Sequence, residues 1–280
     1  MTSPSDEIAR LAAEIDRSAG LSAPPPPDAP VRPAGYLAAT RTATAGFLAA
    51  LPLFVLYEGG VLLANGAGNP VQVRVGADVW LKNLLASVGV AGGLAVAGIV
   101  LLVGVGIVVA ERARRPVLKP WYFAAIVGEA LVYALVLAAV VGGAVGAIFG
   151  RWLWPAALPL AAMQGIPGGL GMQLALSIGA GLYEELVFRV LLVGGLAWGL
   201  RRAAQMQPGR ALLVAAVVGA LVFSAVHHLG PYGEAFTLSA FTFRFLFGLA
   251  LNGVFLVRGF AVAAWTHAVY DVLVVSGWFS

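Results

Sequence analysis

The chain has 280 residues, 60% of them hydrophobic and only 11% charged, with a mean hydropathy of +0.91. A soluble domain carries roughly a quarter charged residues, so this composition excludes an ordinary water-soluble globule and indicates a polytopic membrane protein. The absence of cysteine excludes disulfides, thiolate metal sites and a cysteine nucleophile, and the formal charge of +4 sits in short loops between apolar runs, which points to membrane topology and not to nucleic acid.

Residues 1–42 read as a tail. "SDEIARLAAEIDRSAG" predicts a short amphipathic helix capped by Ser5, with Ile8, Leu11, Ala12 and Ile15 on one face. "APPPPDAPVRPAG" follows as a stiff, extended spacer. Apolar tracts begin after it, and a span needs about 20 residues. Tracts at 45–63, 84–110 and 121–149 form an N-terminal helical part, 43–168. A fourth, 169–200, is too long for one straight span and predicts a helix that is tilted, broken or extended beyond the bilayer. Tracts at 211–229, 241–257 and 260–279 complete a C-terminal core, 169–280. The expected fold is all-α: a transmembrane helix bundle of about seven spans with a cytoplasmic proline-rich tail. Orientation follows from Arg112, Arg114, Arg115, Lys119, Arg201, Arg202, Arg210 and Arg258, which fall on one set of alternate loops. The positive-inside rule makes that side, and the N-terminus, cytoplasmic.

An ionisable residue within a span is a functional-site hypothesis by default, because its burial costs a few kcal/mol or more unless it is paired or wetted. Here Glu58, Glu129, Glu184, Glu185, Asp271, Arg189, Arg244 and all three histidines, His227, His228 and His267, fall in or beside spans. Glu185 and Arg189 are four apart with the acid first, the favourable order for an intrahelical ion pair. Glu184, about 100° round the same helix, points elsewhere and is free of that partner. Phe223 and His227 share a face by the same spacing, as do His267 and Asp271, whose carboxylate is placed to fix the tautomer of the ring. Glu58, Glu129 and Arg244 have no motif around them and read as structural pairs or cavity lining. His228 reads as half of an interfacial histidine pair. Ser224 lies near histidines without the turn signature of an activated serine.

Peptide hydrolysis needs a nucleophilic water, a base, an acid for the leaving amine and donors for the oxyanion. Glu184 with His227 is a credible water-activating pair on those grounds. A purely structural charge cluster and a proton relay of a proton-coupled transporter remain alternatives at this level.

The order of motifs narrows the reading. "EELVFR" has the form EExxxR, "FSAVH" the form FxxxH about 40 residues later, and "HAVYD" the form HxxxN/D, with "FLFGLALNGVFLVRGF" and its Gly248 between the last two. This series resembles the CPBP family of intramembrane proteases, the CAAX prenyl protease, Abi and bacteriocin-processing group, over roughly 169–280. The resemblance implies that Glu184 activates water, that His227 assists proton transfer, that His267 and Asp271 hold the oxyanion, and that Glu185, Arg189 and Phe223 support the site. It implies a peptide or membrane-protein substrate within a lipid bilayer; the alanine-rich composition suggests a bacterial cytoplasmic membrane, and the loop placement of the positive charges suggests no nucleic acid. No metal is required by analogy with the glutamate-peptidase relatives, although Glu184, His227, His267 and Asp271 are possible ligands of a divalent ion such as zinc. Asp271 stands where many relatives carry Asn, and an ionised Asp cannot donate to an oxyanion. A non-catalytic immunity or scaffold protein of the same fold is a second alternative beside the transporter. Depth poses a further question: on these span limits His227 lies near the outer end of its helix and His267 on the cytoplasmic side of the midplane, so a shared site requires either different span limits or helices tilted or broken around a water-filled cavity.

Overall fold

Lipid offers the backbone no hydrogen-bond partner, so a lipid-exposed chain closes its own backbone bonds as helix or barrel. Among the described residues every regular element is a helix. The computed structural model describes residues 35–66, 72–90, 92–112, 118–150, 169–230 and 233–278. The chain separates into two units, Met1–Pro33 and Ala34–Ser280. The first unit, with the amphipathic helix and proline-rich spacer expected there, lies outside the described residues.

In chain order the second unit comprises α1 (Tyr36–Thr40), α2 (Ala43–Asn65), α3 (Gly76–Ser87), α4 (Gly93–Glu111), α5 (Trp121–Phe149) and α6 (Gly169–Gly179). A π-helical segment (Ala180–Gly194) continues directly into α7 (Gly195–Arg202), and α8 (Pro208–Val226), α9 (Leu238–Arg258) and α10 (Phe260–Val275) complete the chain. α2, α5, α8 and α9 are long and apolar enough to cross a membrane, while Val96–Glu111 of α4 and all of α10 are shorter apolar helices. Leu63, Leu102 and Leu213 point outward, as side chains facing lipid do.

Three sequence expectations change. The tract at 84–110 is not one helix: α3 ends at Ser87 and α4 begins at Gly93. Gly89 at φ 87° and Gly92 at φ 92° occupy the left-handed region that a side chain resists, and they turn the chain there. The tract at 169–200 is helical throughout, but its winding passes from α to π and back. α8 starts at Pro208, where a missing N–H costs nothing, and ends at Val226, so that His227 caps it.

The packed unit also begins earlier than the expected tail boundary at 42. Tyr36 of α1 donates to Glu129 Oε2 of α5 at 2.6 Å, and Arg258 Nη2 of α9 donates to the same oxygen at 2.8 Å. These contacts account for Glu129 as a structural pair. Glu111, at the end of α4, accepts from the N–H groups of Ala43 and Thr44 at 2.9 and 2.7 Å. It thereby satisfies donors left open at the start of α2.

α10 is the hub of the bundle, packed against α2, α5, α6, α9 and the π segment. Small buried residues (Ala261, Ala263, Ala264 and Ala268) let those neighbours come close. Trp265 Nε1 donates to Ala49 O of α2 at 2.7 Å, and Asn252 Nδ2 ties α9 to Ala216 O of α8 at 2.8 Å. A single residue, Gly259 at φ 87°, joins α9 to α10. The π segment meets α10 closely at Gly181, where a Cβ would stand 2.5 Å from both Ala264 O and Ala268 Cβ. That contact presses the π segment onto α10.

Candidate active site

The π segment carries the EExxxR motif. In this winding each N–H reaches five residues back, not four, a rare arrangement that recurs at functional sites. Glu185 and Arg189 still meet, with Oε1 and Nη1 3.0 Å apart and both side chains almost fully buried. The same Glu185 Oε1 accepts from Nδ1 of His267 on α10 at 2.8 Å. Sequence spacing assigned the orientation of His267 to Asp271. Asp271 Oδ2 is instead 3.6 Å from Nε2, beyond hydrogen-bond range, and Glu185 holds the ring.

Glu184 takes another direction. Its Oε2 lies 3.5 Å from Nε2 of His227, and that buried oxygen has no hydrogen-bond partner among the described residues. Nδ1 of His227 contacts the carbonyl of Phe223 at 2.6 Å. Donation from Nδ1–H to that carbonyl leaves Nε2 of a neutral ring as an acceptor facing Glu184.

Phe223 is the floor shared by these groups. Its ring centroid is 4.6 Å from that of His227 and 6.0 Å from that of His267. The Arg189 guanidinium carbon stands 4.5 Å over the same ring, a cation–π contact that gives the buried cation a second partner. Phe223 can lie so close to α9 because position 248 is glycine, where a Cβ would be 3.0 Å from Phe223 Cδ1.

All seven residues singled out by motif therefore meet at one place: Glu184, Glu185 and Arg189 from the π segment, Phe223 and His227 from α8, and His267 and Asp271 from α10. His227 lies just beyond the end of α8, and the helices bring both histidines to Phe223. Ser224 is spent elsewhere, donating to Phe241 O at 2.7 Å.

His228 is caged between the rings of Phe236 and Phe241, and its Nδ1 is 3.0 Å from Glu234 O. Glu234 was not singled out by sequence; its only signal was an acid within a largely apolar C-terminal third. Its N–H donates to His227 O at 2.8 Å, and its carboxylate Oε2 accepts from Nε of Arg244 at 2.8 Å and lies 2.8 Å from Nη2 in the same ion pair.

A second polar cluster supports the segment from the α2 and α3 side. Asp78, fully buried, accepts from Tyr57 at 2.8 Å and pairs with Arg74 and Lys82 at 2.9 and 2.8 Å. Glu58 pairs with the same two cations and accepts from Tyr183 at 3.2 Å, next in sequence to Glu184. The spacing 74, 78, 82 was a legible helical signal. A cavity of about 450 Å³ beside this cluster is lined by Phe54, Glu58, Arg74, Lys82 and other residues, none of them from the three motifs.

The residues do not fit a metal as placed. No group of three or more His, Cys, Asp or Glu converges for one among the described residues. Nδ1 of His267 is taken by Glu185, and its Nε2 faces Asp271.

Helices that can cross a membrane and a buried carboxylate–histidine cluster define a membrane protein with an enzyme-like polar centre. Residues 166–273 match the family model described as Rce1-like, type II CAAX prenyl endopeptidase. The match covers all three motifs and bears out the resemblance to CAAX-type proteases read from them. No curated protein and no solved structure matches the chain. The chain is an integral membrane protein with a C-terminal core similar to a protease family.

Proposed function

We propose that the protein is an intramembrane endopeptidase that uses Glu184 and His227 to activate water, with no metal required. The observation that supports this most directly is the pair Glu184 Oε2 and His227 Nε2, 3.5 Å apart and not bonded to each other. A water donating one hydrogen to each of these acceptors turns a lone pair toward a peptide carbonyl. Glu184 takes the proton as oxygen bonds to carbon, and returns it to the amine as the C–N bond breaks. Nε2–H of a protonated His267, not engaged by Asp271 at 3.6 Å, serves as donor to the oxyanion. Glu185, Arg189 and Phe223 hold these groups in place.

The proposed arrangement comprises about seven spans, an N-terminal helical part at 43–168 and a catalytic core at 169–280. The N-terminus is cytoplasmic, in a bacterial cytoplasmic membrane. The substrate is a membrane-associated peptide or protein.

The test is cleavage of a membrane-anchored peptide library by the purified full chain in detergent, with and without chelator, beside Glu184→Ala. Cleavage lost in a folded Glu184→Ala variant and insensitive to chelator is the expected result. Chelator-sensitive cleavage would overturn the metal-free mechanism. Unchanged biological function of Glu184→Ala would favour a scaffold.

A further inference from the structure

The cavity of about 450 Å³ beside Glu58, Arg74 and Lys82 lies among α2, α3 and α4, and the helices around it give it a direction. Glu111, at the end of α4, bonds the start of α2, while Gly92 and Val96, at the other end of α4, share the cavity with Glu58. The two helices therefore run antiparallel. Asn65, the last residue of α2, bonds the backbone of Val73, which sets Arg74 near that terminus. Phe54 lies one turn closer to the middle of α2 than Glu58, and Val96 and Ala97 lie one turn into α4 from its start. Charged groups thus stand toward the helix ends and apolar ones toward the helix middles. That is the polarity of a membrane lipid, headgroup outward and chain inward.

The charges facing the cavity are not balanced. Asp78 is fully buried and takes up Tyr57, Arg74 and Lys82 from behind. The wall itself presents two cations, Arg74 and Lys82, against one carboxylate, Glu58, with the Asn83 amide beside them. Arg74 spends Nε on Gln72 and Nη1 on the two carboxylates, and its Nη2 takes part in none of these bonds. A net positive wall of guanidinium, ammonium and amide donors suits the oxygens of a phosphate. The apolar lining beyond it suits an acyl chain.

We propose that this cavity binds an anionic phospholipid, its phosphate against Arg74, Lys82 and Asn83 and the upper part of a chain against Phe54, Val96 and Ala97. The site lies outside residues 166–273 and does not depend on the peptidase reading.

Native mass spectrometry of the full chain, delipidated in a neutral detergent, tests this by titration with phosphatidylglycerol and with phosphatidylcholine of the same chains. One phosphatidylglycerol is expected to bind about tenfold or more tightly than phosphatidylcholine. Ala86→Trp, on the exposed part of the cavity lining, fills the space without touching a charge and should abolish that binding. The charge-balanced double variant Asp78→Asn/Lys82→Gln removes one cation from the wall and should abolish the preference while a bound lipid remains. If the double variant fails to fold, Ala86→Trp decides alone. Equal binding of the two lipids by the native chain overturns the proposal. So does a preference that survives Ala86→Trp, because the lipid is then held elsewhere on the surface. Displacement of phosphatidylglycerol by an equal concentration of glycerol phosphate also overturns it, since the site would then read a free phosphate and not a lipid.

Discussion

Gly181 and Ala268 face each other so closely that a Cβ on the glycine would stand 2.5 Å from the Cβ of Ala268. Backbone atoms are as near: Ala264 O at 2.5 Å and Ala268 N at 2.6 Å. Neither can swing aside, so Gly181→Ala must push the π segment away from α10. Overpacking of this kind costs about 1–3 kcal/mol, and it also draws Glu185 from His267. We expect a lower midpoint of thermal unfolding in detergent and a loss of cleavage out of proportion to it. Gly195→Ala, where nothing lies within 4 Å, is the control. It should be tolerated, with a gain of about 0.5–1 kcal/mol from helix propensity.

Removing one member of the Glu185–Arg189 pair strands the other inside the bundle. Glu185→Ala is expected to destabilise by about 3–5 kcal/mol, the usual penalty for an uncompensated buried charge. The double variant Glu185→Leu/Arg189→Met should recover much of that stability. It should not recover activity, because His267 loses the acceptor of its Nδ1 proton. Chemical denaturation read beside turnover separates the two effects.

Phe223 supports Arg189, His227 and His267 at once. Phe223→Ala opens a cavity at a cost of about 3–5 kcal/mol, and Phe223→Leu keeps most of the volume while losing the ring face. The leucine variant should fold and show a reduced kcat with little change in KM, since it disturbs the base and not substrate contacts. An unchanged kcat in that variant would remove Phe223 from the supporting set.

The docking of α1 carries a pH signature. Burial, followed by its bond to Glu129, raises the Tyr36 phenol to about 12. A neutral phenol donates; a phenolate beside the Glu129 carboxylate does not. Its contribution is therefore complete below the ordinary phenol value near 10 and is lost as pH rises through about 12. The stability difference between the native chain and Tyr36→Phe should be constant near neutrality and shrink over that alkaline window.

Helical class, apolar tracts and the gathering of motif residues were all legible in the sequence, because lipid imposes length and hydrophobicity and helical spacing pairs Glu185 with Arg189. Spacing along one helix is silent about partners on another. His267 accordingly looked committed to Asp271, four residues on, whereas the shorter bond runs across to Glu185. The π winding was not legible either, since no spacing in the sequence distinguishes it from an α-helix over 180–194. The break between α3 and α4 was written in Gly89 and Gly92 but submerged in the apolar run around them. Glu234 had no periodic partner, and only the fold of Gly233–Thr237 brings it to Arg244.

The one-residue link at Gly259 has a mechanical corollary. α9 and α10 are pinned together at that end, where Arg258 is also bolted to Glu129. Any relative motion of the two helices is therefore smallest there and largest toward their far ends, Leu238 and Val275, which the Phe243, Phe247, Tyr270 and Val274 cluster holds together.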